Sequence, residues 1–202
     1  MNFREVVKGS RNIRLVGLIH DKALLSPNVT TRVLRELVQW KPDVFLVETG
    51  QKSLELSKFV WEHRDPSCSP EQYCHEESYV NEAYAIAAQH QMNSSAVPIF
   101  PIDVEPYKTR LKLAKSALVH PLDALRLISR YNGKNAGVTS LEEMSDWRRR
   151  FKRSCPYSFG ILFTQREDHM LEEINRLSSR FSRTAVLLGL SHVDAIYDRL
   201  RQ

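Results

Sequence analysis

Four ionisable residues stand where short apolar runs end. His20 closes Arg14-Leu15-Val16-Gly17-Leu18-Ile19-His20, and His192 closes Val186-Leu187-Leu188-Gly189-Leu190-Ser191-His192. An apolar run followed by Gly-x-x-His therefore occurs near both ends of the chain. Glu48 directly follows Val44-Phe45-Leu46-Val47, and Asp103 follows Pro98-Ile99-Phe100-Pro101-Ile102. Two imidazoles with one or two carboxylates make a donor set suited to a borderline divalent ion such as Mn, Fe, Co or Zn. Such an ion lowers the pKa of a bound water and so supplies a nucleophile. One Gly-x-x-His unit alone carries almost no information. Two at strand ends carry more.

The runs themselves say what must position these residues. Segments 13–19, 43–47, 97–102 and 185–190 are continuously apolar rather than alternating, as expected for strands covered on both faces. Between them lie stretches with helical spacing. Val29, Val33, Leu34, Leu37 and Val38 form a stripe that stops at Lys41-Pro42. Ser69-Pro70-Glu71-Gln72 reads as a capped helix start with proline at the first helical position, opening a helix that runs through Tyr84 and Ala88. Met170, Leu171, Ile174 and Leu177 form another stripe, and 196–200 a last one. Strand and helix alternate at both ends, which predicts an α/β fold with a central, mostly parallel sheet flanked by helices. In such sheets ligands collect beyond the carboxyl ends of the strands, where all four ionisable residues fall. From 107 to 181 the pattern is helical throughout, with a turn at Asn132-Gly133. We read 1–202 as one domain with a basic, helical insertion at 107–181.

Composition sets the outer bounds. The 202 residues are 42% hydrophobic and 26% charged, which excludes a disordered, collagen-like or coiled-coil chain. No apolar run is long enough for a transmembrane helix, and the opening residues lack the apolar core of a secretory signal. The three cysteines argue against a disulfide scaffold, so a reducing cytoplasm is the expected location. Net charge is +5, but 107–155 alone hold twelve Lys or Arg against four Asp or Glu. A basic segment of that kind attracts nucleic acid, anionic lipid or an acidic partner. Its densest run, Arg148-Arg149-Arg150-Phe151-Lys152-Arg153, is scattered around a helix by its spacing and lacks a nucleic-acid recognition motif. No glycine-rich phosphate loop is present. His63, Cys68, Cys74 and His75 match no common zinc framework, and Cys155 has no base identifiable in the sequence.

In order and spacing, these motifs resemble the TraB/PrgY family, within the superfamily that includes Tiki proteases, GumN-like proteins, erythromycin esterase-like enzymes and ChaN-like haem-binding proteins. The opening block LVGLIHDKALLSPNVTTRVLRELVQWKPDVFLVETG is similar to that family's strand, GxxH, helix, Lys-Pro-Asp, strand and glutamate. The closing block RTAVLLGLSHVDAIYDRL is similar to its second GxxH block. Glu82 with Ala83 and Ala87 resembles a glutamate-bearing helix, although beside Glu76-Glu77 it also reads as a solvated position. Ile102-Asp103 resembles an Ile-Asp-Arg strand end, with Val104 in place of the arginine. Arg166, Glu167 and Met170 resemble the family's arginine, neighbouring Asn or Asp, and methionine, and Thr49-Gly50 depart from its usual Cys or Leu.

The resemblance implies a metal-dependent hydrolase, with a peptide or protein as substrate and Mn or Co as the ion, Zn or Fe being the alternatives. His20 and His192 would be metal ligands, and Glu48 a ligand or the general base. Arg166 would stabilise an oxyanion or clamp a substrate carboxylate. Glu82 and Asp103 are second choices that would orient the histidines. A competing reading on the same fold is a regulatory protein that holds a ligand, a peptide or haem without turnover. A third is an interaction module working through 107–155. Self-association is compatible with all three.

Overall fold

The computed structural model describes residues 2–18, 27–76, 80–93, 96–131 and 140–202. Among these residues five strands form one sheet: β1 (Asn2–Lys8), β2 (Arg11–Leu18), β3 (Val44–Val47), β4 (Ile99–Pro101) and β5 (Arg183–Gly189), in the order β1-β2-β5-β3-β4. All neighbouring pairs are parallel except β1 with β2, so this is the expected α/β fold with a mostly parallel sheet. The edge strand β1 was not expected from the sequence, where continuous apolar runs marked the strands. Asn2–Lys8 instead mixes Arg4, Glu5 and Lys8 among its apolar residues, as suits an edge. It turns back through Gly9 and Ser10, with Gly9 at φ +61°, a conformation that favours glycine.

Helices succeed one another in chain order: α1 (Pro27–Trp40), α2 (Gln51–Glu62), α3 (Pro70–Glu76), α4 (Val80–Gln91), α5 (Pro106–Val119), α6 (Pro121–Tyr131), α7 (Leu141–Ser154), α8 (Pro156–Phe159), α9 (Gln165–Ser178) and α10 (Val193–Leu200). A π-helical turn at Gly160–Thr164 joins α8 to α9, and a 3-10 turn at Leu190–His192 leads from β5 into α10. The stop at Lys41 is present, its φ of +52° ending α1 in the left-handed region. The serine cap also forms: the Gln72 amide donates to Ser69 Oγ at 3.1 Å, ahead of α3. Val29 departs from its stripe and is exposed, while Thr30 is buried and its hydroxyl accepts from the Tyr84 phenol at 3.0 Å. The turn at Asn132-Gly133 lies outside the described residues. The described part of 107–178 is helical, and no strand falls in it.

Two cores cover the sheet, one on each face. Phe45, Val47, Ala185 and Leu187 pack with residues of α1, α2, α3 and α4. Val44, Leu46, Val186 and Leu188 pack with residues of α9 and α10. Successive strand side chains point to opposite faces, a period of two. Continued past β3, that period sends Glu48 towards α9 and Thr49 towards α4.

Because β2, β3, β4 and β5 are parallel, their carboxyl ends share one edge. Phe45 is fully buried in the first of the two cores. Phe45→Ala is expected to lower stability by about 3–5 kcal/mol, read as the shift of a urea unfolding midpoint at unchanged slope.

Candidate functional site

Glu48 is the centre of the carboxyl edge. The register Val47↔Leu187 and Val47↔Pro101 brings it between the ends of β5 and β4, and its backbone amide donates to Leu187 O at 2.9 Å. One carboxylate oxygen, Oε2, accepts from the Gly189 amide. The other, Oε1, accepts from Arg166 Nη2 at 2.8 Å and lies 3.4 Å from His192 Nε2. Asp103, one strand over, takes Arg166 Nε at 3.0 Å and also bonds Nη2. A single guanidinium therefore bridges the carboxylates that end two adjacent strands. Burial opposes the charge on Arg166 most strongly, yet Glu48 and Asp103 outweigh it and hold its pKa above the ordinary arginine value.

The π-helical turn places that guanidinium. It sits at the start of α9, and Arg166 Nη1 reaches back to the Leu162 carbonyl at 3.3 Å within the widened turn. Single π turns inside α-helices recur at functional sites because the extra residue re-aims the side chains beyond it.

His192 is buried, 2% exposed, in the 3-10 turn before α10. Its Nδ1 is 2.8 Å from Glu167 Oε1. An ionised carboxylate only accepts, so Nδ1 carries the hydrogen and, in the neutral ring, Nε2 presents its lone pair towards Glu48. Glu167 is in turn held by Arg148, whose Nη1 and Nη2 donate to Oε1 and Oε2 at 2.6 and 3.1 Å. The same Nη1 bonds the Ser191 carbonyl, and the guanidinium lies 4.7 Å over the Phe163 ring. Burial by itself would raise the Glu167 pKa and is the largest influence, but His192 and Arg148 together hold it below the usual carboxylate range.

Thr49, on the opposite face, donates its hydroxyl to the Glu82 carboxylate on α4. Glu82 is buried rather than solvated, contrary to the reading suggested by its acidic neighbours, because α4 lies with nearly every side against the sheet and helices. Burial pushes its pKa up, against the Thr49 hydrogen bond, and the nearby Glu48 charge adds to the rise. Gly50 comes next, where a Cβ would approach within 2.7 Å of the Glu105 carboxylate. That carboxylate accepts from the Lys52 amide at 3.1 Å at the start of α2, a favourable place for negative charge.

Of the residues expected from the sequence, Glu48, Asp103, Arg166 and His192 come together at this edge. Glu82 stands behind it, separated by Thr49. His20 lies outside the described residues. Glu167 and Arg148 are the residues that sequence reasoning did not assign to the site. Glu167 carried a signal, since it follows Arg166 and stands where the resembled family has Asn or Asp. Arg148 carried none, being one arginine within a basic run of which Phe151 is also buried. Beside Arg166 a cavity of about 60 Å³ is lined by Val104, Lys108, Lys112 and Gln165, so lysines flank the position where the resembled family has an arginine.

A divalent ion is tested by the donor chemistry. His192 Nε2 and Glu48 Oε1 are one imidazole and one carboxylate donor facing each other, with Glu167 behind the ring as the orienting carboxylate such ligands require. These two fit. Among the described residues no group of three or more His, Cys, Asp or Glu is arranged to hold an ion. The alternative cluster does not assemble there either: Cys74 is buried in the core with its thiol pKa pushed up by burial, and His63 stacks on Phe59. Among the described residues, no helix is long and apolar enough to cross a membrane. No protein-family model matches the chain, and no curated protein matches it.

The two buried glutamates respond to pH in opposite directions. Glu167 is more acidic folded than unfolded, so its ionised form stabilises the fold above roughly pH 4.3, and this is lost as pH falls through the depressed folded value. Glu167→Gln should flatten the acid limb of a Tm-against-pH curve. Glu82 is less acidic folded, so its contribution is present at low pH and is lost as pH rises through the raised folded value. Glu82→Gln should therefore gain on the parent as pH rises. Parallel curves for either variant and the parent would contradict the corresponding assignment.

Proposed function

We propose that this chain is a cytoplasmic, metal-dependent hydrolase of the TraB/PrgY type that cleaves a peptide or protein substrate. The observation that carries the reading is the pair His192 Nε2 and Glu48 Oε1, 3.4 Å apart at the carboxyl edge of a parallel sheet, with Glu167 orienting the imidazole. His192, Glu48 and His20 would hold the ion, Mn or Co first and Zn or Fe as alternatives. When bound, the ion would lower the pKa of a water and polarise a carbonyl.

The protein's own groups have distinct tasks. Glu167 accepts from His192 Nδ1, so in the neutral ring Nε2 is the lone-pair donor an ion would take. Arg148 holds Glu167 in its ionised state. Glu48 would serve either as a ligand of the ion or as the base that accepts a proton from the attacking water. Arg166 positions Glu48 and Asp103. Its described bonds go to those carboxylates and to Leu162 O, so the geometry supports a positioning role over the oxyanion or substrate-clamp role implied by the resemblance. Asp103 keeps Arg166 in that orientation, and Glu82 with Thr49 backs the loop after β3.

A second reading, a non-catalytic binder of a ligand, a peptide or haem, is favoured by one feature. Glu48 already accepts a hydrogen bond on both oxygens, from Arg166 and from the Gly189 amide, so its carboxylate has partners without an ion.

Elemental analysis of the purified full chain beside His192→Ala and Glu48→Ala separates the two. Near-stoichiometric Mn, Co, Zn or Fe, lost in both variants while circular dichroism is kept, is the expected result. Metal-stimulated cleavage of a peptide library should then fall by about 10²–10⁴-fold in Glu48→Gln. A chain that neither carries metal nor gains it on titration would overturn the hydrolase in favour of the binder.

A further inference from the structure

The α5–α6 hairpin exposes more large apolar side chains than its position in a packed domain calls for. Leu118 and Val119 are 86% and 71% exposed at the end of α5, and Leu122, Leu125 and Ile128 are exposed along α6. On α5, Tyr107, Leu111, Ala114 and Leu118 recur at intervals of four, three and four, which puts them on one face of the helix. The same spacing sets the exposed Lys108 and Lys115 on one flank of that stripe and Arg110 on the other. Arg126 is exposed beside the apolar face of α6.

Within the hairpin no exposed negative charge offsets these cations. Between Pro106 and Tyr131 the only acidic residue is Asp123, and it is turned inward. Its carboxylate accepts from the Ser158 amide at 2.9 Å and from the Tyr157 amide at 3.3 Å, at the start of α8. His120, between the helices, stacks on Tyr157 with ring centroids 3.4 Å apart. The buried side of the hairpin is thus pinned by Asp123 and His120, which keeps the opposite, apolar and basic side outward.

We propose that this hairpin docks on an anionic lipid surface, with Leu118, Val119, Leu122 and Leu125 entering the headgroup boundary and Lys108, Arg110, Lys115 and Arg126 meeting lipid phosphates and carboxylates. Aliphatic residues flanked by Lys and Arg are what an interfacial helix uses. A second copy of this chain would bring like charges together across the same face. Nucleic acid would leave the leucines unmatched, since it is met with aromatic stacking rather than aliphatic side chains. Lipid docking is independent of the proposed hydrolase, because Leu118, Val119, Leu122 and Leu125 lie outside that site and, of the cations, only Lys108 lines the cavity beside it.

The test is flotation of the full chain with phosphatidylcholine vesicles, with and without phosphatidylserine. Binding is expected only with phosphatidylserine, and to weaken as salt rises from about 0.1 to about 0.5 M. The double variant Leu118→Asp, Val119→Asp should lose binding by tenfold or more at an unchanged Tm, because both side chains are exposed in the free protein. In a separate variant, Leu122→Trp, fluorescence should shift to the blue on adding the anionic vesicles and stay unchanged with the neutral ones. No vesicle binding, or binding indifferent to both the lipid charge and the double variant, would overturn the proposal. So would a dimer in solution that the double variant dissolves without any vesicle binding, since a second copy would then be what covers the face.

Discussion

Glu48 and Asp103 end adjacent parallel strands, so the sheet itself brings two like charges to one corner that is largely screened from water. Ionised together and unpaired, they would repel and lose solvation at once. The Arg166 guanidinium resolves this by lying between them with a hydrogen bond to each. Much of the remaining architecture serves to deliver that one side chain. The helix that carries it must pack on the face to which Glu48 points, and its first turn must sit at the carboxyl edge rather than halfway down the sheet. Met170, Ile174 and Leu177 provide the packing, and the π-helical turn before α9 sets the approach.

A second guanidinium does similar work one layer out. Arg148 comes from α7, stacks over Phe163, and forks onto Glu167, which then orders the His192 ring. Both arginines therefore organise carboxylates, and both are partly shielded by aromatic or apolar surroundings. Losing either would leave a buried carboxylate without its partner, which costs more than the pair contributes when intact. The consequence for function is directional. His192 has a fixed orientation, with its Nδ1 on Glu167 and its Nε2 towards Glu48.

Most of the sheet was legible in the sequence. The apolar runs named four of five strands and the residues just beyond them, because strands covered on both faces need continuous apolar side chains. The edge strand β1 escaped because an edge tolerates charge, and α2 because its apolar residues form no strong stripe. Glu82 was misread for a related reason: its acidic neighbours suggested solvent, whereas α4 is enclosed almost all round by the sheet and by α1, α2 and α3. Val29 shows the converse, an apolar residue in register with a buried stripe that the first turn of α1 leaves in water.

What the sequence by itself determined was the parity of each side chain along its strand and the carboxylates, Glu48 and Asp103, that follow two of them. Glu48 had to face one layer of helices and Thr49 the other, whatever those layers turned out to be. Which groups they meet was decided only by tertiary packing. Arg166 is 118 positions from Glu48, and Arg148 is one of several arginines with the same local context. Nothing in the neighbouring residues distinguishes the arginine that turns inward from those that stay in solvent. Periodicity is a local property of the backbone. A salt bridge between distant elements depends on where whole helices come to rest, and that is set by burying their apolar faces together.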